Sequence, residues 1–367
     1  MQRVVCYSAV MEESLRPLAS AFAAYLTQRW QVPCEVVDLQ QIPGGASRET
    51  YRVTLHTNNT APSSGHNNPL PQAVILRRDP DSSLIDTERA HEYAVYEAVY
   101  RSGLVPVPQP LVLEERPGPE MARPFSVMQM IEGGQATPAG LEDPAMQGNL
   151  ASLAEQKWSL LGRLAATPAS DLALTFLQVP EHPAKHELNY WTQVINTDSL
   201  HPQPVAQAAI RWLERHLPEP QPHRCLVHGD YRTGNFLYDA KGKLLTVLDW
   251  EMAHIGDPLE DLAWSLDPLW SGQPHLAGRL CSRRKAVEIW EQASGMLVDT
   301  ERFRWWQVFA SLKALAIWIS SNEDFLHGNT KEPILAMAGW PMINLQNRIL
   351  ADRLSPISKH EVAEALL

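Results

Sequence analysis

Cysteine is scarce in this chain. The four present (Cys6, Cys34, Cys225 and Cys281) are widely scattered and form no Cys-x-x-Cys pair. That excludes a disulfide framework and a cysteine zinc site, and leaves small buried thiols in a reducing compartment as the expectation. Long apolar runs are also missing. No stretch approaches the roughly 18 apolar residues of a membrane span, and no apolar segment follows a basic one at the N-terminus, so a soluble, cytoplasmic chain is expected. An excess of basic charge is absent, the formal net charge being −11, which argues against nucleic acid or an anionic membrane as a partner. Gly-Lys-Ser/Thr occurs nowhere, so a Walker-type phosphate loop is excluded. No internal repeat is visible, and compositional bias is confined to residues 58–71, rich in Asn, Ser, Pro and Gly, which have the composition of a mobile loop.

What remains is an ordinary globular composition, 44% hydrophobic and 20% charged over 367 residues. That is enough for one large domain or two lobes. Leu15, Leu18, Phe22, Tyr25 and Leu26 at helical spacing predict an opening helix over 13–30. Strands are expected at 35–42, 50–56, 73–78, 111–115 and 125–131, and a helix at 87–101. Beyond Gly133-Gly134 long helices take over, at 150–166, 205–217, 257–266, 283–293, 302–321 and 333–353. Eleven of the twelve tryptophans fall after residue 150, where the large aromatic core is expected. The fold class is therefore α+β, with a small lobe over 1–131 built on an antiparallel sheet and a larger, mainly helical lobe over 132–367.

The chemistry is concentrated in Val227-His228-Gly229-Asp230-Tyr231-Arg232-Thr233-Gly234-Asn235-Phe236 and Leu248-Asp249-Trp250-Glu251. Apolar runs before each piece (Cys225–Val227 and Leu244–Leu248) read as short buried strands that fix loop ends. Moving a phosphoryl group to a hydroxyl requires an Asp to orient the acceptor and take its proton, plus oxygen ligands for Mg²⁺, a hard cation that keeps several waters. Asp230, Asn235 and Asp249 supply that set. Singly, Asp and Asn between hydrophobic runs are ordinary turn formers; their joint spacing favours the catalytic reading. A dinuclear metal phosphoesterase would need Gly-Asn-His-Asp, whereas Asn235 is followed by Phe236 and Leu237.

Upstream, Ile42-Pro43-Gly44-Gly45-Ala46-Ser47 joins two strands. Gly44 and Gly45 would expose N–H groups to phosphate oxygens, with Ser47 adding a donor; a Gly-Gly hairpin turn is the commoner explanation of the same residues. Arg77 would meet the nucleotide phosphates while Glu92 on the following helix holds it, and an exposed basic strand end reads equally well. Arg78, by strand alternation, faces the other way. The 125–131 strand would bind an adenine ring through the backbone of Gln129 and Ile131, with Met128 and Met130 as adaptable walls.

Taken together, residues 41–340 resemble the aminoglycoside phosphotransferase-like family, relatives of choline, homoserine and fructosamine kinases. Within it the chain looks most like the bacterial phosphotransferase family proteins, whose domain is also fused to acyl-CoA dehydrogenase-like chains. The resemblance rests on Pro43–Ser47, Val74-Ile75-Leu76-Arg77-Arg78, Pro106-Val107-Pro108, Val127–Gly133, His228-Gly229-Asp230, Asn235, Asp249-Trp250-Glu251 and Gly256-Asp257-Pro258-Leu259-Glu260-Asp261-Leu262-Ala263. It implies a protein-kinase-like two-lobed fold, ATP or another nucleoside triphosphate as co-substrate, and Mg²⁺. It further implies Asp230 as base, Asn235 and Asp249 as Mg²⁺ ligands, His228 as a loop-positioning residue and Asp261 as the residue bonding the catalytic-loop backbone. Arg77 departs from the Lys that many members carry; choline-kinase-like relatives also use Arg.

The acceptor is less legible. An aminoglycoside carries several ammonium groups, yet after Asp249 there are 15 Asp/Glu against 11 Lys/Arg, a modest excess. Arg283-Arg284-Lys285 and Arg302-x-Arg304 would suit an anion, although solvated helix faces explain both. The expectation is a small hydroxylated metabolite such as a hydroxy acid or its thioester, with an aminoglycoside and a non-catalytic nucleotide-binding module as alternatives.

Overall fold

The structure is a computed structural model that describes residues 11–42, 49–57, 70–79, 89–273, 275–328 and 338–355. The loop residues Gly44, Gly45 and Ser47, and most of the Asn-rich segment, lie outside the described residues. The chain divides into two compact units, Met1–Tyr93 with Pro108–Met130, and Ala94–Val107 with Ile131–Leu367.

The first unit opens with α1 (Arg16–Trp30), whose Leu18, Ala19, Phe22, Leu26 and Trp30 repeat at helical spacing and are buried. The helix ends where Gln31 turns into the left-handed region, at φ 56°. Strands β1 (Cys34–Ile42), β2 (Glu49–Thr57), β3 (Ala73–Arg78), β4 (Pro110–Glu114) and β5 (Phe125–Gln129) make one sheet in the order β1-β2-β3-β5-β4. Every pairing is antiparallel. Tyr51, Val53 and Leu55 alternate inward on β2, as do Val74 and Leu76 on β3, the period-two pattern of a half-buried sheet. Phe22 and Tyr25 of α1 meet Phe125 of β5 edge-on, which fixes the helix on the sheet. The helix α2 (Arg89–Ser102) follows β3 in the chain, and the division between units falls inside it.

The second unit contains α3 (Leu150–Ala166), α4 (Pro183–Asp198), α5 (Pro204–Arg215), the short strands β6 (Cys225–Val227), β7 (Phe236–Tyr238), β8 (Leu244–Val247) and β9 (His254–Gly256), then α6 (Leu259–Ser265), α7 (Arg283–Ser294), α8 (Thr300–Leu326) and α9 (Ile343–Leu354). The aromatic core is where composition put it, with Trp158, Trp250, Trp290, Trp305 and Trp306 all fully buried. Residues 305–316 of α8 are buried on every side, as befits a helix through the middle of a domain. Two hairpin-like pairs set the site: β6 with β9 (Val227 opposite His254) and β7 with β8 (Phe236 opposite Val247).

Three elements differ from the sequence reading. Helix α4 was not expected, although Ala184, Leu188, Trp191 and Ile195 bury one stripe of it and proline stands at its first turn, where the missing N–H does no harm. Strand β5 ends at Gln129 rather than 131. The last helix is regular only from Ile343, after a π-turn over Ala338–Met342 that contains Pro341; a proline within a helix removes a hydrogen bond and clashes with the preceding turn. Among the described residues no helix is long and apolar enough to cross a membrane.

Candidate active site

Strand β6 delivers the chain to His228, and the loop that follows is clamped from below by α6. Both oxygens of Asp261, in the first turn of α6, accept loop N–H groups: His228 N at 2.6 Å and Gly229 N at 3.0 Å. Burial pushes the Asp261 carboxyl above its ordinary range, while His228 and its N–H bond pull it down; two donated N–H bonds on one buried side chain favour the carboxylate form. Gly229 has φ +84°, and a Cβ there would press on the carbonyl of Met252, so this position requires glycine. The buried His228 ring has fixed roles. Its Nδ1 accepts the N–H of Asp230 at 3.1 Å, so its Nε2 carries the proton and donates to the Leu248 carbonyl at 2.9 Å. His228 thereby joins the loop carrying Asp230 to the strand end preceding Asp249.

Asp230 is held by three donors. Trp264 Nε1 of α6 donates to Oδ1 at 2.8 Å, Asn235 Nδ2 to Oδ2 at 2.6 Å, and Arg232 Nε reaches both oxygens at 3.1 Å. The Trp264 and Asn235 bonds are short and single, and they set the carboxylate plane. The Arg232 contact is longer and shared between two oxygens, and it is an ion pair; the guanidinium, 29% exposed, also stacks on Trp270 at 4.8 Å.

Asn235 donates a second time, to the Asp230 carbonyl at 3.0 Å. With its NH₂ group so occupied, its Oδ1 is the atom suited to a cation. Asp249 follows β8, and Leu248 N donates to the Asn235 carbonyl at 2.7 Å, so β7 and β8 bring Asn235 and Asp249 to the same end of one hairpin. Asp249 sits at φ +69°, a conformation uncommon outside glycine, asparagine and aspartate, and its N–H is held by the Tyr96 hydroxyl at 2.8 Å. One amide oxygen and one carboxylate is a donor set that fits Mg²⁺, a hard cation that takes oxygen ligands and keeps several waters of its own.

The back of the loop is anchored too. The Tyr231 hydroxyl donates to the Lys157 carbonyl, and Thr233 Oγ1 to Gly278 O, both at 2.8 Å. Lys157 is fully buried over the Trp158 ring, and burial lowers its ammonium to about 7. Lys313 of α8, also buried, donates to the Gly229 carbonyl at 2.7 Å and lies 3.6 Å from Glu260 Oε1. Glu260 Oε2 is 3.1 Å from His254 Nε2, Glu187 Oε1 of α4 is 3.8 Å from it, and His254 Nδ1 is 2.9 Å from Met252 O. Burial alone would lower His254, but the two carboxylates push it up to about 10. The four residues thus form a charge-balanced set of two carboxylates and two cations beneath the loop that carries Asp230. Lys313, Glu260, Glu187, Trp264 and Arg232 were not singled out from sequence. Glu260 lies within the Gly256–Ala263 motif and Trp264 directly after it, and a buried charge in an apolar helix was the available signal for Lys313.

In the first unit, Arg77 and Glu92 form an ion pair. Arg78 pairs instead with Glu49, which also binds Arg123, as strand alternation requires. Met128 is buried, opposite Ile75 and Pro110 in the sheet. The N–H of Gln129 donates to Gln109 O at 2.8 Å. Ile131 is the first residue of the second unit's long segment. Of the basic pairs on the C-terminal helices, Arg302 is not a solvated face: it is ion-paired with Asp257.

A family model, the phosphotransferase enzyme family, matches residues 38–296. The chain belongs to this family. Curated relatives include acyl-CoA dehydrogenase family member 11 of Rattus norvegicus, 29% identical over 61% of this chain and 29% of that protein, and member 10 of Mus musculus, 28% identical over 62% of this chain and 20% of that protein. The chain therefore spans less than a third of the length of these relatives. Among solved structures, a putative aminoglycoside phosphotransferase from Ralstonia eutropha JMP134 has a TM-score of 0.67 at 19% identity, covering 91% of this chain and 97% of that one. A choline/ethanolamine kinase family protein from Mesorhizobium loti has 0.56 at 14%, covering 89% and 92%. The aminoglycoside phosphotransferase APH(4)-Ia, in ternary complex with ADP and hygromycin B, has 0.55 at 16%, covering 92% and 100%. These likenesses establish the protein-kinase-like fold.

Proposed function

We propose that this phosphotransferase moves the γ-phosphoryl group of ATP to the hydroxyl of a small neutral or anionic metabolite, with a hydroxy acid or its thioester as the favoured class. The observation that carries the reading is the Asp230 carboxylate, held in one orientation by Trp264 and Asn235 and open to displacement of Arg232. Asp230 accepts the hydroxyl proton as the acceptor oxygen bonds to phosphorus, while the bond to the β-phosphate oxygen breaks and ADP leaves. Asn235 and Asp249 would hold Mg²⁺, which supplies electrostatic neutralisation of phosphate charge. Arg77, fixed by Glu92, is assigned to the α- and β-phosphates, and Gly44, Gly45 and Ser47 to a phosphate-facing turn. Met128, Gln129 and Ile131 are assigned to the adenine. The ADP in the APH(4)-Ia complex supports a nucleotide co-substrate, and the acyl-CoA dehydrogenase names of the curated relatives support acyl-thioester chemistry nearby.

The test is a panel of hydroxy acids, hydroxyacyl thioesters, choline-like alcohols and aminoglycosides with ATP and Mg²⁺, scored by mass spectrometry for a phosphorylated product. A product that requires Asp230 supports the reading. Nucleotide binding without turnover on any acceptor would instead support a non-catalytic nucleotide module.

A further inference from the structure

Asp267 stands two residues beyond the end of α6 and is fully buried. Its Oδ1 accepts Leu269 N at 2.9 Å, and its Oδ2 takes the Ser311 hydroxyl of α8 at 2.5 Å. The same hydroxyl accepts from Arg353 Nε of α9 at 3.0 Å, which places that guanidinium 4.0 Å from Asp267. A second guanidinium, Arg283 at the start of α7, is within electrostatic reach of both Asp267 and Arg353. Two arginines therefore lie near one buried carboxylate, Arg353 at 4.0 Å and Arg283 within electrostatic reach, so these three groups together carry one more positive than negative charge.

The hydrogen bonding is incomplete in the same direction. Among the described residues, Arg283 Nε, Arg353 Nη2 and Trp270 Nε1 are buried donors without a hydrogen-bond partner, and Ser271 Oγ and Gln346 Oε1 also have none. Native structures satisfy such groups with protein, water or ligand, because an unpaired buried donor is costly. Three of these atoms can only donate, so a negatively charged acceptor group answers both the bonding and the charge. The group also lies beside the reacting carboxylate. Residues 264–271 supply Trp264 to Asp230 at one end and Asp267, Trp270 and Ser271 at the other, and Trp270 stacks under the Arg232 that binds Asp230.

We propose that Arg283 and Arg353, with Asp267 between them and Trp270 and Ser271 at the edge, form a subsite that binds a carboxylate of the acceptor molecule. One excess charge matches a monoanion rather than a phosphate dianion, and planar guanidinium groups match a planar carboxylate. The inference rests on the kinase reading above and narrows it to acceptors bearing a carboxylate as well as a hydroxyl.

The test uses the full chain and matched probes: 2-, 3- and 4-hydroxybutyrate against butanediols of the same hydroxyl position. Binding is measured by calorimetry in the presence of a non-hydrolysable ATP analogue, and turnover separately by ADP release. At least one hydroxybutyrate should bind about tenfold or more tightly than its diol, and Arg353→Met should abolish that preference without changing nucleotide affinity. Arg283→Gln, which keeps planar N–H donors but no charge, should lower the preference while preserving thermal stability, and guards against a variant that fails to fold. Equal binding of acid and diol, no binding of any probe, or equal weakening of both by the arginine variants would overturn the subsite. Carboxylate-selective binding with no phosphate transfer to any acceptor would overturn the kinase reading and leave the subsite standing, whereas transfer to diols without carboxylate preference would do the reverse.

Discussion

In the proposed reaction Asp230 is the residue on which the chemistry turns, and its environment dictates how its loss should look. Replacing it with Asn keeps the shape but removes the proton acceptor, and the amide cannot accept from Trp264, Asn235 and Arg232 together. Asp230→Asn should abolish phosphoryl transfer while leaving nucleotide affinity within about an order of magnitude. Single-turnover kinetics and nucleotide titration check this, and near wild-type turnover would refute the assignment. Asp249 tests the metal side. Its carboxylate and the Asn235 amide oxygen stand at the end of one hairpin, so Asp249→Ala should remove the Mg²⁺ dependence of nucleotide binding; an unchanged dependence in titrations with and without Mg²⁺ would sink that role. That these three residues come together was legible in the sequence because the spacing of carboxylate, amide and carboxylate is local and chemically unusual. Arg232 and Trp264 were not, since their roles arise only when side chains from a loop and a helix converge on Asp230.

At the scale of elements, the loop carrying Asp230 is a strand end clamped by helices, and the clamps differ in how visible they were. The Asp261 contacts lie in a motif that sequence comparison carries over, so they were anticipated. Lys313 was hidden in the continuous apolar run of α8, and Glu187 in α4, a helix that sequence periodicity did not yield. Lys313 donates to the carbonyl just before Asp230, so Lys313→Met should lower kcat by about tenfold with KM for ATP within about threefold. It should also lower stability by about 3–5 kcal/mol, because Glu260 and Glu187 lose a cation in a buried set. A drop in Tm with unchanged kcat would reduce Lys313 to a purely structural part. The same set predicts a pH signature. His254 is raised in the fold to about 10 from an ordinary value of 6.5, so its contribution is fully present below about pH 6.5 and is lost as pH rises towards 10. Lys157 runs the other way: burial lowers it from 10.5 to about 7, so the fold gains from that site as pH rises over the same range. The difference in unfolding free energy between the wild type and His254→Gln should therefore shrink from pH 6.5 to 10. A difference that stays constant across that range would show that His254 does not hold its proton in the fold.

At the scale of the whole molecule, class and architecture were readable from the change in composition after residue 133 and from the catalytic spacing, while the acceptor was not. Acceptor specificity is a matter of which distant charges converge. Many acidic groups after Asp249 are already engaged. Asp257 pairs with Arg302, Glu260 with His254 and Lys313, Asp261 holds the loop, Asp299 caps α8 and Glu323 pairs with His327. Asp267, which a convergence with Glu323 and Asp324 would require, is buried against Ser311; Glu323 lies twelve residues further along α8, about 18 Å at the helical rise. Each ammonium of an aminoglycoside left desolvated without a carboxylate would cost on the order of a kcal/mol or more. The likeness to APH(4)-Ia, at 16% identity, is one of fold and does not supply those carboxylates. Expression of this chain in a susceptible bacterium should therefore leave the minimum inhibitory concentrations of kanamycin and hygromycin B unchanged, and the purified protein should phosphorylate a neutral or anionic hydroxyl compound in preference to either. Phosphorylation of kanamycin with a micromolar KM would overturn this, and would mean that carboxylates outside the described residues complete a polycation site.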